Sequence, residues 1–169
     1  VKAGQANHDL GGVPAVQNGP LSEEFGVNKS RYFVNPLVGT GYLVLNAERP
    51  VFKNVAARKA VNWAIDRPAQ VRVAGKYGGR RSDQILPPAM PGFILRNDLY
   101  AYKGSNIPKA KAVAGDISKV PTIRILHRNS QANINRGQIM RYNLESIGLK
   151  AKTESVPTAQ LFARSGNKK

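Results

Sequence analysis

Three consecutive stretches late in the chain switch between strand and helix periodicity, and few architectures accept that order. Residues 122–126 (Thr-Ile-Arg-Ile-Leu) alternate apolar and polar side chains and predict a strand. Residues 132–147 place Ile139, Met140, Leu144 and Ile147 on one helical face, with Arg141 and Glu145 spaced to pair at i,i+4. Gly148 is suited to ending that helix, and residues 149–156 read as a second strand. Thr158 can cap a last turn containing Leu161 and Phe162. A chain that interleaves the two periods must lay helices on a sheet, so an α/β fold is expected, a mixed sheet covered by helices.

The first half is looser. Gly4, Gly11, Gly12, Gly19, Pro14 and Pro20 make residues 1–30 a loop-rich lead-in, with a short helix over 21–25 between Ser22 and Gly26. Residues 31–35 and 42–46 predict strands, separated by Pro36 and Gly39-Thr40-Gly41. The run Tyr42-Leu43-Val44-Leu45 is continuously apolar, as in a strand covered on both faces. Residues 54–66 form the clearest helix, with Asn54 as its cap and Ala57, Ala60, Val61 and Ala64 as its stripe. A shorter helix over 69–74 follows Pro68 and ends at the glycine-rich turn 75–79. Residues 80–108 hold four prolines and no sustained period; so long an irregular connection is expected to be functional or to wrap another layer. A helix over 109–114 leads back to the first strand. No repeat divides the chain, so residues 1–169 are expected to be a single domain, with 31–169 as the α/β core.

Chemistry is scarce. Cysteine is absent, His8 and His127 stand apart, and neither a Gly-x-Ser-x-Gly elbow nor a metal-ligand spacing occurs. No enzyme activity, metal or other cofactor is expected. The glycine-rich turns at 39–41 and 75–79 lack phosphate-loop patterns and read as turns. Charge is the exception: 26 Lys and Arg against 10 Asp and Glu give +16. That excess attracts nucleic acid, anionic lipid or acidic wall polymer. Yet the cations are spread along the chain, with adjacent pairs only at Arg58-Lys59, Arg80-Arg81 and Lys168-Lys169. A basic solvated surface is the simpler reading, and a nucleic-acid-binding module is the alternative.

The middle of the chain carries a resemblance. Tyr42-Leu43-Val44-Leu45-Asn46, then Arg49-Pro50-Val51-Phe52, then the helix from Val55 to Ile65-Asp66-Arg67 resembles a block of the family 5 extracellular solute-binding proteins. These are the oligopeptide-, dipeptide- and nickel-binding components of ABC importers. The opening 3–9, the proline-rich 86–93, Pro108-Lys109-Ala110-Lys111-Ala112 and the junction 144–150 are similar to further family motifs, in the family's order. Ala56-Ala57 departs from a position that is usually polar. Family members also continue beyond the equivalent of 160–162 into an aromatic-Asp segment that holds a ligand's amino group, whereas this sequence stops at Lys169.

The resemblance implies part of the second lobe of a type II periplasmic-binding-protein-like fold. Its implied function is binding of a solute, an oligopeptide or dipeptide, for import through a membrane ABC permease, without specific nucleic-acid binding. The implied setting is the periplasm or the outer face of a bacterial membrane, with a lipid anchor on the whole protein. By position in the family pattern, Tyr42 and Val44 face the cleft. Arg128 and Asn129 lie on the loop beyond the sheet edge, where a carboxylate or peptide carbonyl can be held.

Overall fold

A computed structural model describes residues 3, 5, 13–95, 100–117 and 120–166. His8 and Lys168-Lys169 lie outside the described residues, as does most of the 3–9 motif. A short 3-10 turn at Ala15–Gln17 leads into α1 (Asn18–Phe25), and after a long extended stretch come α2 (Pro50–Lys53), α3 (Val55–Ala64) and α4 (Arg67–Val73). Then follow α5 (Ile107–Ala114), β1 (Ile123–Arg128), α6 (Gln131–Ser146), β2 (Ala151–Val156) and α7 (Thr158–Gly166).

Local chemistry starts most helices. Asn54 Oδ1 accepts from Ala56 N at 2.9 Å to cap α3, Asp66 Oδ1 from Ala69 N at 2.9 Å to cap α4, and Asn106 Oδ1 from Lys109 N at 3.1 Å to cap α5. The Arg58 guanidinium donates to the carbonyls of Phe52 and Lys53, folding α2 back onto α3. α3 and α5 meet through Ala57, Ala60, Ala64, Ala110 and Ala114, all buried, so the two axes can approach closely. At the α3 end, Asn106 N donates to Trp63 O at 2.8 Å.

β1, α6 and β2 form the parallel unit on which the rest is hung. The strands pair from Ile123↔Ala151 to Arg128↔Val156, and a parallel pair needs the helical crossover that α6 supplies. Met140 and Leu144 of α6 and Ile147 just past its end join Ile125, Leu149 and Ala151 in one core with Phe52, Val61, Ala60, Ala64, Ala110 and Ala114. Ile139, expected on the core side, is only half-buried. The buried Asn143 ties α6 to the α3–α4 joint, its Oδ1 accepting from Asp66 N at 3.0 Å. The Arg141–Glu145 pair forms at 3.8 Å, and Gly148 takes φ +95° just past the helix.

The strands expected at 31–35 and 42–46 do not form a sheet with these two. Tyr32 makes an isolated bridge to Val27 and buries its ring, its hydroxyl donating to Asn18 Oδ1 at 2.9 Å. Residues 42–46 are extended but carry no ladder, and Tyr42 and Val44 are each 71% exposed. This corrects the expectation of a strand covered on both faces. Strand propensity is a statement about packing on neighbours, and no second strand lies beside this segment among the described residues. Its anchors are the Leu45 side chain, packed against the core, and Thr40 Oγ1, which donates to Ile85 O at 2.8 Å.

α6 lies close to β1 because Gly137 has no side chain. A Cβ there falls 2.6 Å from His127 Cδ2 and 3.0 Å from Nε2. The ring is held by Nδ1 against Arg128 O at 3.1 Å. In an open helix Gly→Ala stabilises by about 1 kcal/mol. At this position overpacking reverses the sign, and Gly137→Ala is expected to destabilise by about 1–3 kcal/mol. Urea unfolding measures it; an unchanged or raised midpoint means the imidazole swings away freely.

Candidate functional site

In parallel α/β units, groups that bind ligands gather beyond the carboxyl ends of the strands, where backbone and helix N-termini point outward. In this chain that edge is built from the ends of β1 and β2, the start of α6, and α7. Register decides the company. Arg128, expected on the loop beyond the sheet edge, is the last residue of β1 and pairs with Val156, as His127 does with Ser155, so the loop begins at Asn129 and emerges beside the end of β2.

Asn129 is fixed by two contacts: its N–H donates to Val156 O at 3.2 Å, and its Oδ1 accepts from Ser155 Oγ at 3.2 Å. Among the described residues that orientation leaves the Asn129 amide NH2 without an acceptor, a donor available at the edge. Ser130 turns the chain into α6, its Oγ accepting from Asn133 N at 3.4 Å and Asn133 Nδ2 at 2.9 Å. Arg128 is exposed, and among the described residues no carboxylate pairs with it. Its guanidinium carbon lies 5.6 Å from the centre of the Phe162 ring on α7, close enough for a cation–π contact that biases its orientation. The edge therefore presents one unneutralised cation, one oriented amide donor and an aromatic face. Such a set suits a carboxylate or a peptide carbonyl.

α7 is held in place by charge. Arg164 grips Glu154 of β2 with Nη1–Oε1 at 2.5 Å and Nη2–Oε2 at 3.2 Å. This hydrogen bonding, helped by the positive charges of Arg164 and Arg124, holds the Glu154 carboxyl below the usual carboxylate range despite its partial desolvation. A depressed carboxylate stabilises the folded form at pH values above its unfolded pKa, and that contribution disappears as pH falls through the folded one. Below the ordinary glutamate value of about 4.3, α7 amides are expected to exchange faster than those of a Glu154→Gln variant would predict from pH alone. If the two proteins keep a constant ratio of α7 exchange rates through that range, the bridge does not hold the helix.

Of the four residues expected at the site, the structure brings Arg128 and Asn129 together. Tyr42 and Val44 sit on the separate extended segment, and no hydrogen bond or ring contact joins them to Arg128 or Asn129 among the described residues. Ser155 and Phe162 complete the edge and were not singled out as site residues; the β1–β2 register places Ser155, and the docking of α7 places Phe162. The edge itself is open surface. Concavities of about 370 and 340 Å³ lie elsewhere, one lined by Leu149, Lys150 and Ala151 at the opposite end of β2, the other beside α4. Among the described residues no three His, Cys, Asp or Glu side chains gather as a metal site would require, and no helix is long and apolar enough to cross a membrane.

A family model described as bacterial extracellular solute-binding proteins, family 5 Middle, matches residues 2–169. No curated protein matches the chain. Among solved structures, the murein tripeptide binding protein MppA of Escherichia coli superposes with a TM-score of 0.73 at 16% identity, over 91% of this chain and 31% of that one. A periplasmic oligopeptide-binding protein, OppAIV of Borrelia burgdorferi, gives 0.72 at 16% identity, over 89% and 30%. The periplasmic binding protein DppA of Helicobacter pylori, in complex with the peptide STSA, gives 0.68 at 20% identity, over 92% and 29%. The chain thus spans less than a third of each of these proteins.

Proposed function

The chain belongs to the bacterial extracellular solute-binding proteins of family 5, and on that premise we propose that it is part of a peptide-binding lobe serving an ABC importer. Its fold is the α/β, type II periplasmic-binding-protein-like arrangement of that family. The family consists of binding proteins, and the role proposed for this chain involves no covalent chemistry. Residues 1–169 act as one unit of that lobe, and the whole protein works outside the cytoplasm, lipid-anchored, delivering an oligopeptide or dipeptide to a membrane permease.

One observation carries the ligand assignment. At the carboxyl end of the parallel pair, Arg128, which pairs with no carboxylate among the described residues, stands beside an Asn129 whose Oδ1 accepts from Ser155 and whose NH2 is turned outward as a donor. A guanidinium fork and an amide NH2 side by side suit the carboxylate or carbonyls of a peptide. Tyr42 and Val44 would supply a separate contact: their exposed segment carries no strand ladder among the described residues, and an extended peptide can add along it as a strand. The site is open because a two-lobed binder holds its ligand between jaws that close by a hinge, each jaw contributing only part of the contacts.

Calorimetric titration of the full-length protein with di- to tetrapeptides, each as free acid and C-terminal amide, tests this reading. Arg128→Gln is expected to weaken a free-acid peptide about tenfold or more while leaving the amide largely unchanged. Equal affinities for both forms in the wild type and the variant would exclude Arg128 from carboxylate recognition. A wild-type protein that binds no peptide of any length overturns the function itself.

A further inference from the structure

The glycine-rich turn 75–79 and the Arg80-Arg81 pair find no use in the sheet-edge site, yet together they shape a second one. After α4, Gly78 N donates to Gly75 O at 3.1 Å and the chain reverses tightly. Gly78 lies so close to α4 that a Cβ there falls 2.1 Å from Ala74 Cβ and 2.4 Å from Ala74 O. The reversal sends residues 79–81 back along α4, where Arg67 Nε fixes the next residue by donating to Ser82 O at 2.9 Å. Arg72, Gly79, Arg80, Arg81 and Tyr102 then line one concavity of about 340 Å³.

Three cations in one hollow repel each other unless something neutralises them, and among the described residues no carboxylate pairs with any of the three. Two of them are pre-positioned. The Arg81 guanidinium carbon lies 4.9 Å from the centre of the Tyr102 ring while its Nη1 reaches Tyr102 O at 3.5 Å. Arg80 lies 5.9 Å from the Phe93 ring. Aromatic backing limits the freedom a guanidinium loses when it meets a ligand, and its planar fork matches tetrahedral oxyanions in a bidentate way. We propose that Arg72, Arg80, Arg81 and Tyr102 form a binding site for a phosphate group, sharing no residue with the sheet edge. The same chemistry is offered by a soluble phosphate ester and by an anionic lipid headgroup.

Two probes separate these sources: inorganic phosphate, titrated calorimetrically into the full-length protein at ~150 mM ionic strength, and sedimentation with phosphatidylglycerol or phosphatidylcholine vesicles. Two variants share one charge change. Arg72→Gln/Arg80→Gln removes two cations from the hollow, and Lys53→Gln/Lys59→Gln removes two exposed cations from the α2–α3 surface. Saturable phosphate binding, weakened about tenfold by the first variant and unchanged by the second, is the expected result. Co-sedimentation with phosphatidylglycerol alone, following the same pattern, assigns the phosphate to a headgroup; its absence assigns a soluble ester. Equal losses in both variants mean that the +16 surface attracts anions generally, and this outcome, like a wild type that binds no phosphate, overturns the site.

Discussion

Leu144→Ala is expected to lower the unfolding free energy by about 2–5 kcal/mol, the range for removing a large aliphatic side chain from a packed interior. Leu144 is 2% exposed and sits on the face of α6 that meets Ile125, Leu149 and Ala151. Its carbonyl accepts from both Ile147 N and Leu149 N, so the backbone that carries it also makes the turn into β2. The helix cannot sink inward to refill the space, because Gly137 already holds it against the His127 ring. A cavity is therefore left. For a domain whose total stability is about 5–15 kcal/mol, such a loss is a large fraction. Urea denaturation of the two proteins measures it. Ile139→Ala is the informative comparison: five residues away on the same helix but only half-buried, it is expected to cost about 1 kcal/mol. Similar losses at the two positions contradict the packing described for α6.

That contrast separates what is local in the chain from what is not. The 3.6-residue period located α6 and its pairing of Arg141 with Glu145, because both are local. It treated Ile139 and Leu144 alike, because depth of burial depends on what lies opposite. The cap at Asn54 is legible for the same reason that α6 is: the side chain and the amide it meets are two residues apart. Residues 42–46 fail for the complementary reason. Their β-branched and aromatic character promises a strand, but a ladder needs a partner that no local pattern supplies. The candidate site divides in the same way. The strand-to-loop junction at Arg128 and Asn129 is visible as a break after an alternating run, whereas Ser155 and Phe162 reach it only through the parallel register and the Arg164–Glu154 bridge. The irregular stretch after residue 80 was expected to be functional or to wrap another layer, and what holds it could not be read at all.

Arg67 is what holds it. The residue reads as the end of an Asp-Arg motif, but its guanidinium is largely withdrawn from solvent and tied to three parts of the chain. Nε donates to Ser82 O at 2.9 Å, Nη1 to Asn62 O at 3.0 Å and Ala101 O at 3.5 Å, and Nη2 to Asn62 Oδ1 at 3.3 Å. Burial pulls its pKa down, opposed by the nearby charge of Asp83 and by Tyr100, and an arginine stays charged regardless. Tyr100 in turn packs edge-on against Trp63 with ring centres 5.5 Å apart. Asp83 Oδ2 is buried with no hydrogen-bond partner, and its charge acts favourably on the Arg67 guanidinium. Arg67→Met keeps the aliphatic stem and removes the donors. It is expected to cost about 2–4 kcal/mol, since three backbone carbonyls and the Asn62 amide oxygen lose a partner and Asp83 loses a nearby positive charge. Arg67→Lys is expected to recover little, because an ammonium cannot span acceptors on Asn62, Ser82 and Ala101 at once. The double variant Arg67→Met/Asp83→Asn separates the two contributions. Removing the stranded charge is expected to return about 1 kcal/mol or more of the loss, a non-additivity that chemical denaturation of all four proteins in the cycle can read. Strictly additive losses would place Asp83 outside the reach of Arg67, and the cost of Arg67→Met would then belong to its carbonyl partners alone.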